Sequence, residues 1–318
     1  SAAAYRQIWT ERGSPLLVHG IALRDAIRVE LEDEVTAVEL GMRYGQPSIG
    51  DALRRISASG ADRLVVVPLF PQYSMSAWAS AVAAVQTELT KLPGLLAPRV
   101  VPPFYAHEAF VDAVAAVARA ELERFGPDRV LMSFHGLPER HVRRSDCSPE
   151  RDHCLQGDSC CEAIGEANRF CYRAQCFASA RAIAASLGLS EGDYEVAFQS
   201  RLGRSPWIEP YSDVRIQELA RSGVRRLAVL CPSFASDCLE TLEEIGIRAR
   251  EAFREAGGED LSLVPCVNSD PAWVAGLAAL VRQEIPAPPL VEGSAPGYES
   301  RSETVSQLSP RRRPTKTS

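Results

Sequence analysis

Three segments of this chain share one layout, and that layout leaves few folds open. Each has Gly, two residues, Arg, and then a short apolar run. Gly60–Arg63 leads into Leu64-Val-Val-Val-Pro-Leu-Phe70, Gly126–Arg129 into Val130-Leu-Met-Ser-Phe134, and Gly223–Arg226 into Leu227-Ala-Val-Leu-Cys231. Continuous runs of this kind read as parallel strands buried on both faces. Helical patterns precede them at 48–59, 107–124 and 213–222, and a fourth run, Tyr194–Gln199, follows a helical pattern at 178–187. This alternation predicts an α/β fold of two Rossmann-like domains, each a parallel sheet flanked by helices. The Pro-rich turn Val101-Pro-Pro-Phe-Tyr105 sets the boundary. It gives an N-terminal domain at 1–106 and a C-terminal domain at 107–284 with a cysteine-rich insert at 145–171. Residues 1–12 read as a helix with no strand before it, whereas a doubly wound domain normally opens on a strand. From 285 periodicity vanishes into a Pro-, Ser- and Arg-rich segment, expected to be a disordered, solvated tail.

Composition narrows the partners. A net charge of −6 argues against nucleic acid. An apolar fraction of 46% over 318 residues supplies sizeable cores. No run reaches the roughly 18 apolar residues a spanning helix needs. No charged-then-apolar signal segment opens the chain, so the expectation is a cytoplasmic protein. Six of the nine cysteines fall between Cys147 and Cys176, a density that points to a metal or iron–sulfur centre rather than disulfides.

Reactive residues gather at the predicted strand ends, where an open α/β sheet places its chemistry. His135, in Ser133-Phe-His-Gly-Leu-Pro138, leaves its strand through a tight Gly/Pro exit that presents the imidazole. Neutral imidazole suits Fe²⁺ and accepts protons near neutral pH. After the third strand comes Phe234-Ala-Ser-Asp-Cys-Leu-Glu-Thr-Leu-Glu-Glu244. On a helix of 3.6 residues per turn, Asp237, Glu240 and Glu244 form one acidic stripe, fit to hold a cation or relay protons. The plainer alternative is an acidic helix start with Asp237 as N-cap and Glu240 closing a capping box. Trp207, in a Pro-rich loop, either anchors that loop or stacks on a flat ligand. Arg43, Tyr44 and Tyr73 end strand-like runs in the first half and offer a cation and ring faces.

Together the Ser-Phe-His-Gly-Leu-Pro run, the Phe-Gln-Ser-Arg-x-Gly-x-x-Pro-Trp run at 198–207 and the Cys-Leu-Glu-Thr-Leu-Glu-Glu run at 238–244 resemble ferrochelatase over residues 1–282. The resemblance implies a lyase of haem synthesis that inserts Fe²⁺, its substrate, into protoporphyrin IX with release of two protons. Alternatives are a coproporphyrin or cobalt chelatase, or a non-catalytic porphyrin-binding redox sensor. It implies His135 and Glu240 as the catalytic pair, and Asp237 and Glu244 with them on the metal path. It further implies that Arg43, Tyr44, Tyr73, Trp207 and Phe234 line the porphyrin pocket. Some relatives have a second His where this chain has Cys238. The cysteine spacing resembles bacterial members carrying a [2Fe–2S] cluster on an internal loop, which implies Cys154, Cys160, Cys161 and Cys171 as ligands. Cys147 is the rival fourth ligand, Cys176 is excluded, and zinc is the alternative metal. Family members open with a strand–loop–helix unit that this chain is expected to lack, which bears on its activity. The resemblance leaves peripheral membrane contact and oligomeric state open.

Overall fold

The computed structural model describes residues 2–92, 94 and 98–285; of the tail expected from 285, Ile285 closes the last helix and the rest lies outside the described residues. Helix α1 (Ala2–Ile8) is shorter than the predicted 1–12, because the backbone of Thr10 and Gly13 pairs with itself beyond it. Helices α2 (Pro15–Glu30) and α3 (Ile49–Ala58) follow, then β1 (Val65–Val66), α4 (Trp78–Leu89), β2 (Arg99–Val100) and α5 (Glu108–Phe125). The chain continues through β3 (Arg129–His135), α6 (Glu139–Arg144), a 3₁₀ turn at Asp158–Cys161, α7 (Tyr172–Leu187), β4 (Tyr194–Gln199), α8 (Ser212–Arg221) and β5 (Arg226–Leu230). It closes with α9 (Leu239–Leu242), a π-helical turn (Glu244–Ala249), α10 (Arg250–Glu255), β6 (Asp260–Leu263) and α11 (Pro271–Glu284).

The helix ends follow local chemistry. The Ser48 hydroxyl accepts the Asp51 N–H at 3.1 Å and starts α3. His107 Nδ1 accepts the Ala109 N–H at 3.2 Å and starts α5, which stops at Gly126 in the left-handed region, φ 61°. The helix predicted at 178–187 extends back to Tyr172, and Cys171 caps it.

Four strands form an all-parallel sheet in the order β4-β3-β5-β6. β3 pairs with β4 from Val130↔Tyr194 to His135↔Gln199, but with β5 only as far as Met132↔Leu230. In the first half, the run predicted at 64–70 pairs for two residues only, Val65↔Arg99 and Val66↔Val100. Pro68 lacks the N–H a longer ladder would need.

Alternation along β3 separates two cores. Val130, Met132 and Phe134 face α5 and α7, where Cys154, Cys161 and Cys171 join the same cluster. Leu131 faces the opposite way, among Ile216 and Leu219 of α8 and Phe253 of α10. A third core is shared along the chain: Leu23, Ile27 and Leu31 of α2 pack with Phe110 of α5 and Trp273, Leu277 and Leu280 of α11. The C-terminal helix therefore completes the core of the N-terminal segment, and the described residues through Ile285 form one unit. Arg282 on α11 adds an ion pair to Glu34 at 2.6 Å.

α11 approaches α5 closely at Gly276, where a methyl group would sit 2.8 Å from the carbonyl oxygen of Ala109. Gly276→Ala should lower stability by about 1–3 kcal/mol through overpacking, measured as a lower urea midpoint at unchanged slope. An unchanged midpoint would mean the two helices separate without cost.

Candidate active site

His135 is the last paired residue of β3. Its Nδ1 lies 2.6 Å from the Gly136 carbonyl oxygen. A carbonyl only accepts, so Nδ1 carries the proton and Nε2 keeps its lone pair for an incoming proton or metal. The ring stands 6.1 Å from Phe234 and 6.5 Å from Trp207, centroid to centroid. Gly136 makes this approach possible, since a β-carbon there would meet the Gln199 carbonyl oxygen at 2.8 Å and the Trp207 ring at 3.1 Å. Trp207 is 8% exposed, and its indole N–H donates to the Leu202 carbonyl at 2.9 Å. Its rim position therefore anchors the 202–207 loop while leaving an edge beside the imidazole.

The acidic segment departs from the expected stripe. Helix α9 starts one residue later than predicted, with Cys238 rather than Asp237 as its cap, and Thr241 rather than Glu240 closes the capping box. Asp237 is 4% exposed. One of its oxygens accepts the Thr241 hydroxyl at 2.9 Å, and the other accepts the Asn268 amide at 2.8 Å and the Cys266 N–H at 3.2 Å. Both oxygens are thus committed to holding the turn. Beyond Leu242 the 3.6-residue period fails. The Glu243 carbonyl accepts from Arg248 N–H at 2.9 Å, a five-residue step, and the extra residue swings the following side chains round. Glu243 turns inward and pairs with Arg248 at 2.9 Å. Glu244 reaches β4, where its carboxylate accepts the Ser200 N–H at 2.8 Å and the Ser200 hydroxyl at 2.7 Å.

Glu240 stays half-buried at the same strand ends. Its carbonyl accepts the Gln199 amide at 2.7 Å, and Gln199 is the register partner of His135. Cys238 is buried beside it, and burial together with the Glu240 carboxylate pushes that thiol well up, so it stays neutral. Tyr5 of α1 also faces Glu240, and burial and that carboxylate raise its phenol. Tyr5, Gln199, Ser200, Ser233 and Asn268 are site residues that sequence reasoning missed. Only Gln199 and Ser200 carried a signal, standing inside the 198–207 motif. Among the described residues no three His, Cys, Asp or Glu side chains converge as a preformed chelate.

The first-half candidates occupy separate positions. Arg43 and Tyr44 are exposed, with the guanidinium 4.6 Å over the Tyr44 ring and donating to the Ser80 hydroxyl at 3.1 Å. Arg43 also lines a cavity of about 210 Å³ with Met42, Ser48, Arg54 and Glu88. Tyr73 packs at 5.2 Å on Phe170, and its backbone N–H donates to Gln175 of α7 at 2.6 Å. The porphyrin-pocket candidates thus fall into a group around His135 and a group on the first half.

In the insert, the Cys160 and Cys161 sulfurs are 3.6 Å apart. Cys154, Cys161 and Cys171 are buried in one core, and neighbouring thiols with burial push the Cys161 thiol up and Cys171 to about 12. The Arg173 guanidinium donates to Cys161 Sγ at 3.3 Å. The four cysteines gather beside a fixed cation without converging as a preformed metal site. Cys147 is exposed and turned to the Ser145 carbonyl, outside this group, and Cys176 lies buried against Tyr172. All nine cysteines are free.

Asp146 organises the insert. Burial alone would raise its carboxyl, but the Cys154 N–H at 2.6 Å and Ser148, through its N–H at 2.8 Å and hydroxyl at 2.7 Å, outweigh that and hold it at about 2. A depressed folded value stabilises above the ordinary carboxyl range and is lost as pH falls through it. Protease resistance of the insert should therefore drop between about pH 4 and 2, and Asp146→Asn should show the loose state already at pH 7. Equal cleavage of both proteins at pH 7 would remove Asp146 from this role.

A doubly wound parallel sheet with these side chains at its carboxyl edge has the architecture of the chelatases. SirB from Bacillus subtilis, solved with Fe³⁺, superposes with a TM-score of 0.55 at 14% identity, over 84% of this chain and 88% of its own. CbiX, the terminal enzyme for biosynthesis of sirohaem in denitrifying bacteria, gives 0.51 at 17% identity, over 86% and 95%. At such identities the likeness is one of fold. The ferrochelatase family model matches residues 1–285. The ferrochelatase of Pseudomonas putida is 45% identical over 278 residues, 87% of this chain and 81% of its own length. That of Azotobacter vinelandii is 47% identical over 283 residues, 89% and 82%. The chain belongs to the ferrochelatase family.

Proposed function

We infer that this chain inserts Fe²⁺ into protoporphyrin IX in haem synthesis, releasing the two pyrrole protons. The observation that carries the mechanism is the Nδ1 contact of His135 to the Gly136 carbonyl at a strand end, which leaves Nε2 as the acceptor, beside neighbours that hold Glu240 and Glu244. A porphyrin must lose two protons as the metal enters, so an acceptor must stand at one ring face. Nε2 supplies it. Glu240 and Glu244 offer oxygen atoms that bind Fe²⁺ weakly enough to surrender it, and they lead protons away. Asp237 supports them as the buried anchor of the turn. Phe234, Trp207 and Tyr73 offer apolar walls, and Arg43 a cation for the porphyrin carboxylates with Tyr44 beside it.

The insert is proposed to hold a [2Fe–2S] cluster through Cys154, Cys160, Cys161 and Cys171. Iron–sulfur chemistry needs four thiolates, and the shared core of these cysteines beside Arg173, with Cys147 exposed outside it, supports that set. Free cysteines throughout support a reducing, cytoplasmic setting. No helix among the described residues is long and apolar enough to cross a membrane.

Anaerobic assay with protoporphyrin IX and Fe²⁺ tests the reaction. His135→Ala should lose about 10²–10⁴-fold in metallation while porphyrin binding, read by fluorescence quenching, persists. A tenth of the wild-type rate remaining would overturn its role. Glu240→Gln should reduce turnover per folded molecule more than Glu243→Gln, which weakens the bond of a buried carboxylate to the largely exposed Arg248 and should act on stability. Equal turnover losses would assign Glu240 to helix stability.

Protein made with ample iron should contain about two irons and two sulfides per chain. Serine at Cys154, Cys160, Cys161 or Cys171 should bleach it, and serine at Cys147 or Cys176 should not. Zinc in place of iron would refute the cluster.

A further inference from the structure

One hydroxyl at the start of α7 links the residue after the insert's last cysteine to the main chain of His135. Helix α7 begins at Tyr172, directly after Cys171, and the Tyr172 hydroxyl donates to the His135 carbonyl oxygen at 2.8 Å. That contact stands where the sheet gives out. β5 leaves β3 at Met132, so on that side the peptides at His135 have no strand partner. Two side chains take over: Ser233 accepts the His135 N–H at 2.9 Å, and Tyr172 satisfies its carbonyl. Because Nδ1 is bonded to the next carbonyl, the ring is tied to this stretch of main chain, and a shift of the peptide moves Nε2 with it.

Packing alone does not call for this hydroxyl. Tyr172 is 7% exposed inside the core, where phenylalanine would fill the same volume. A buried hydroxyl is tolerated only when bonded. The same helix reaches the first half, through Gln175 to the Tyr73 N–H at 2.6 Å and through Ser179 to the Gln72 amide at 2.9 Å. Just before its start, Cys171 packs in the same core as Cys154 and Cys161 of the insert. One rigid element thus touches the insert, His135 and the Tyr73 segment.

We propose that Tyr172 is a positioning residue for His135, and that α7 transmits the order of the cysteine-rich insert to the imidazole through this hydroxyl. The proposal rests on the reading of His135 as proton acceptor. It makes the insert a regulator of metallation without contact with the porphyrin.

The test uses the full chain and two readouts. Tyr172→Phe should lower kcat for Fe²⁺ insertion about 3- to 10-fold, the range of one lost hydrogen bond, with KM for protoporphyrin within about two-fold. Amide hydrogen exchange at 135–137, followed by mass spectrometry, should speed up. Cys154→Ser, which loosens the insert at its far end, should also speed exchange at 135–137. It should add nothing in the Tyr172→Phe background. Unchanged kcat and exchange in Tyr172→Phe would overturn the positioning role. Additive acceleration in the double variant would overturn the transmission. Should Tyr172→Phe not fold, Ser233→Ala removes the opposite anchor. Exchange at 135–137 must then respond more strongly to Cys154→Ser, and an equal response overturns the proposal. The exchange readout needs no metallation, so a chain that failed to metallate porphyrin would refute the function and leave this result standing.

Discussion

The central place of β3 governs the rest. It is paired in parallel on both sides through Met132, then loses β5 and continues on β4 alone to His135. A strand that outruns one neighbour exposes main-chain groups which must find other partners. Ser233 and Tyr172 meet that need, and in doing so they bring the loop after β5 and the start of α7 to the imidazole. Gln199 extends the convergence, because the partner of His135 in the ladder also holds the carbonyl of Glu240. The site is thus an outcome of sheet termination at three adjacent strand ends, the place where doubly wound proteins carry their chemistry.

A second constraint is the π-helical turn at Glu244–Ala249. An ordinary helix would stack Asp237, Glu240 and Glu244 in one row, where three carboxylates repel. The helix starts only at Leu239 with Cys238 extended, so Asp237 falls outside the row. Asp237 goes inward to Asn268 and Thr241, Glu243 to Arg248, and Glu244 across to Ser200. Each of these three carboxylates then has its own donors, and Glu240 stays half-buried at the strand ends. Such a division suits a site that must hold Fe²⁺ briefly, since a tight chelate would keep it.

The insert is bound to the domain by its sulfurs as much as by its backbone. Cys154, Cys161 and Cys171 sit in the same core as Phe134 and Ile183. Asp146 and Asn168 tie the intervening turns, Asn168 by donating to the carbonyls of Cys160 at 2.9 Å and Ala163 at 2.8 Å. A polar loop with little apolar surface of its own gains order from such buried polar anchors.

Much of this was legible in the sequence, and the limits are physical. The repeated Gly-x-x-Arg and apolar runs determined parallel strands, because residues buried on both faces must be apolar throughout. Ser48, His107 and Gly126 marked helix ends, since capping is local chemistry. His135 and the acidic segment could be placed at strand ends from pattern alone, and the family motifs gave them a chemistry. Tertiary structure decided the rest. The ladder of 64–70 shrank to two residues at Pro68. Helix α11 joined the core of the first half across more than 200 residues of chain, a pairing no local pattern encodes. The direction of the carboxylates depended on where α9 starts and on partners distant in sequence, Asn268 for Asp237 and Ser200 for Glu244. The role of Tyr172 depended on where β5 ends beside β3, and only the packed sheet fixes that.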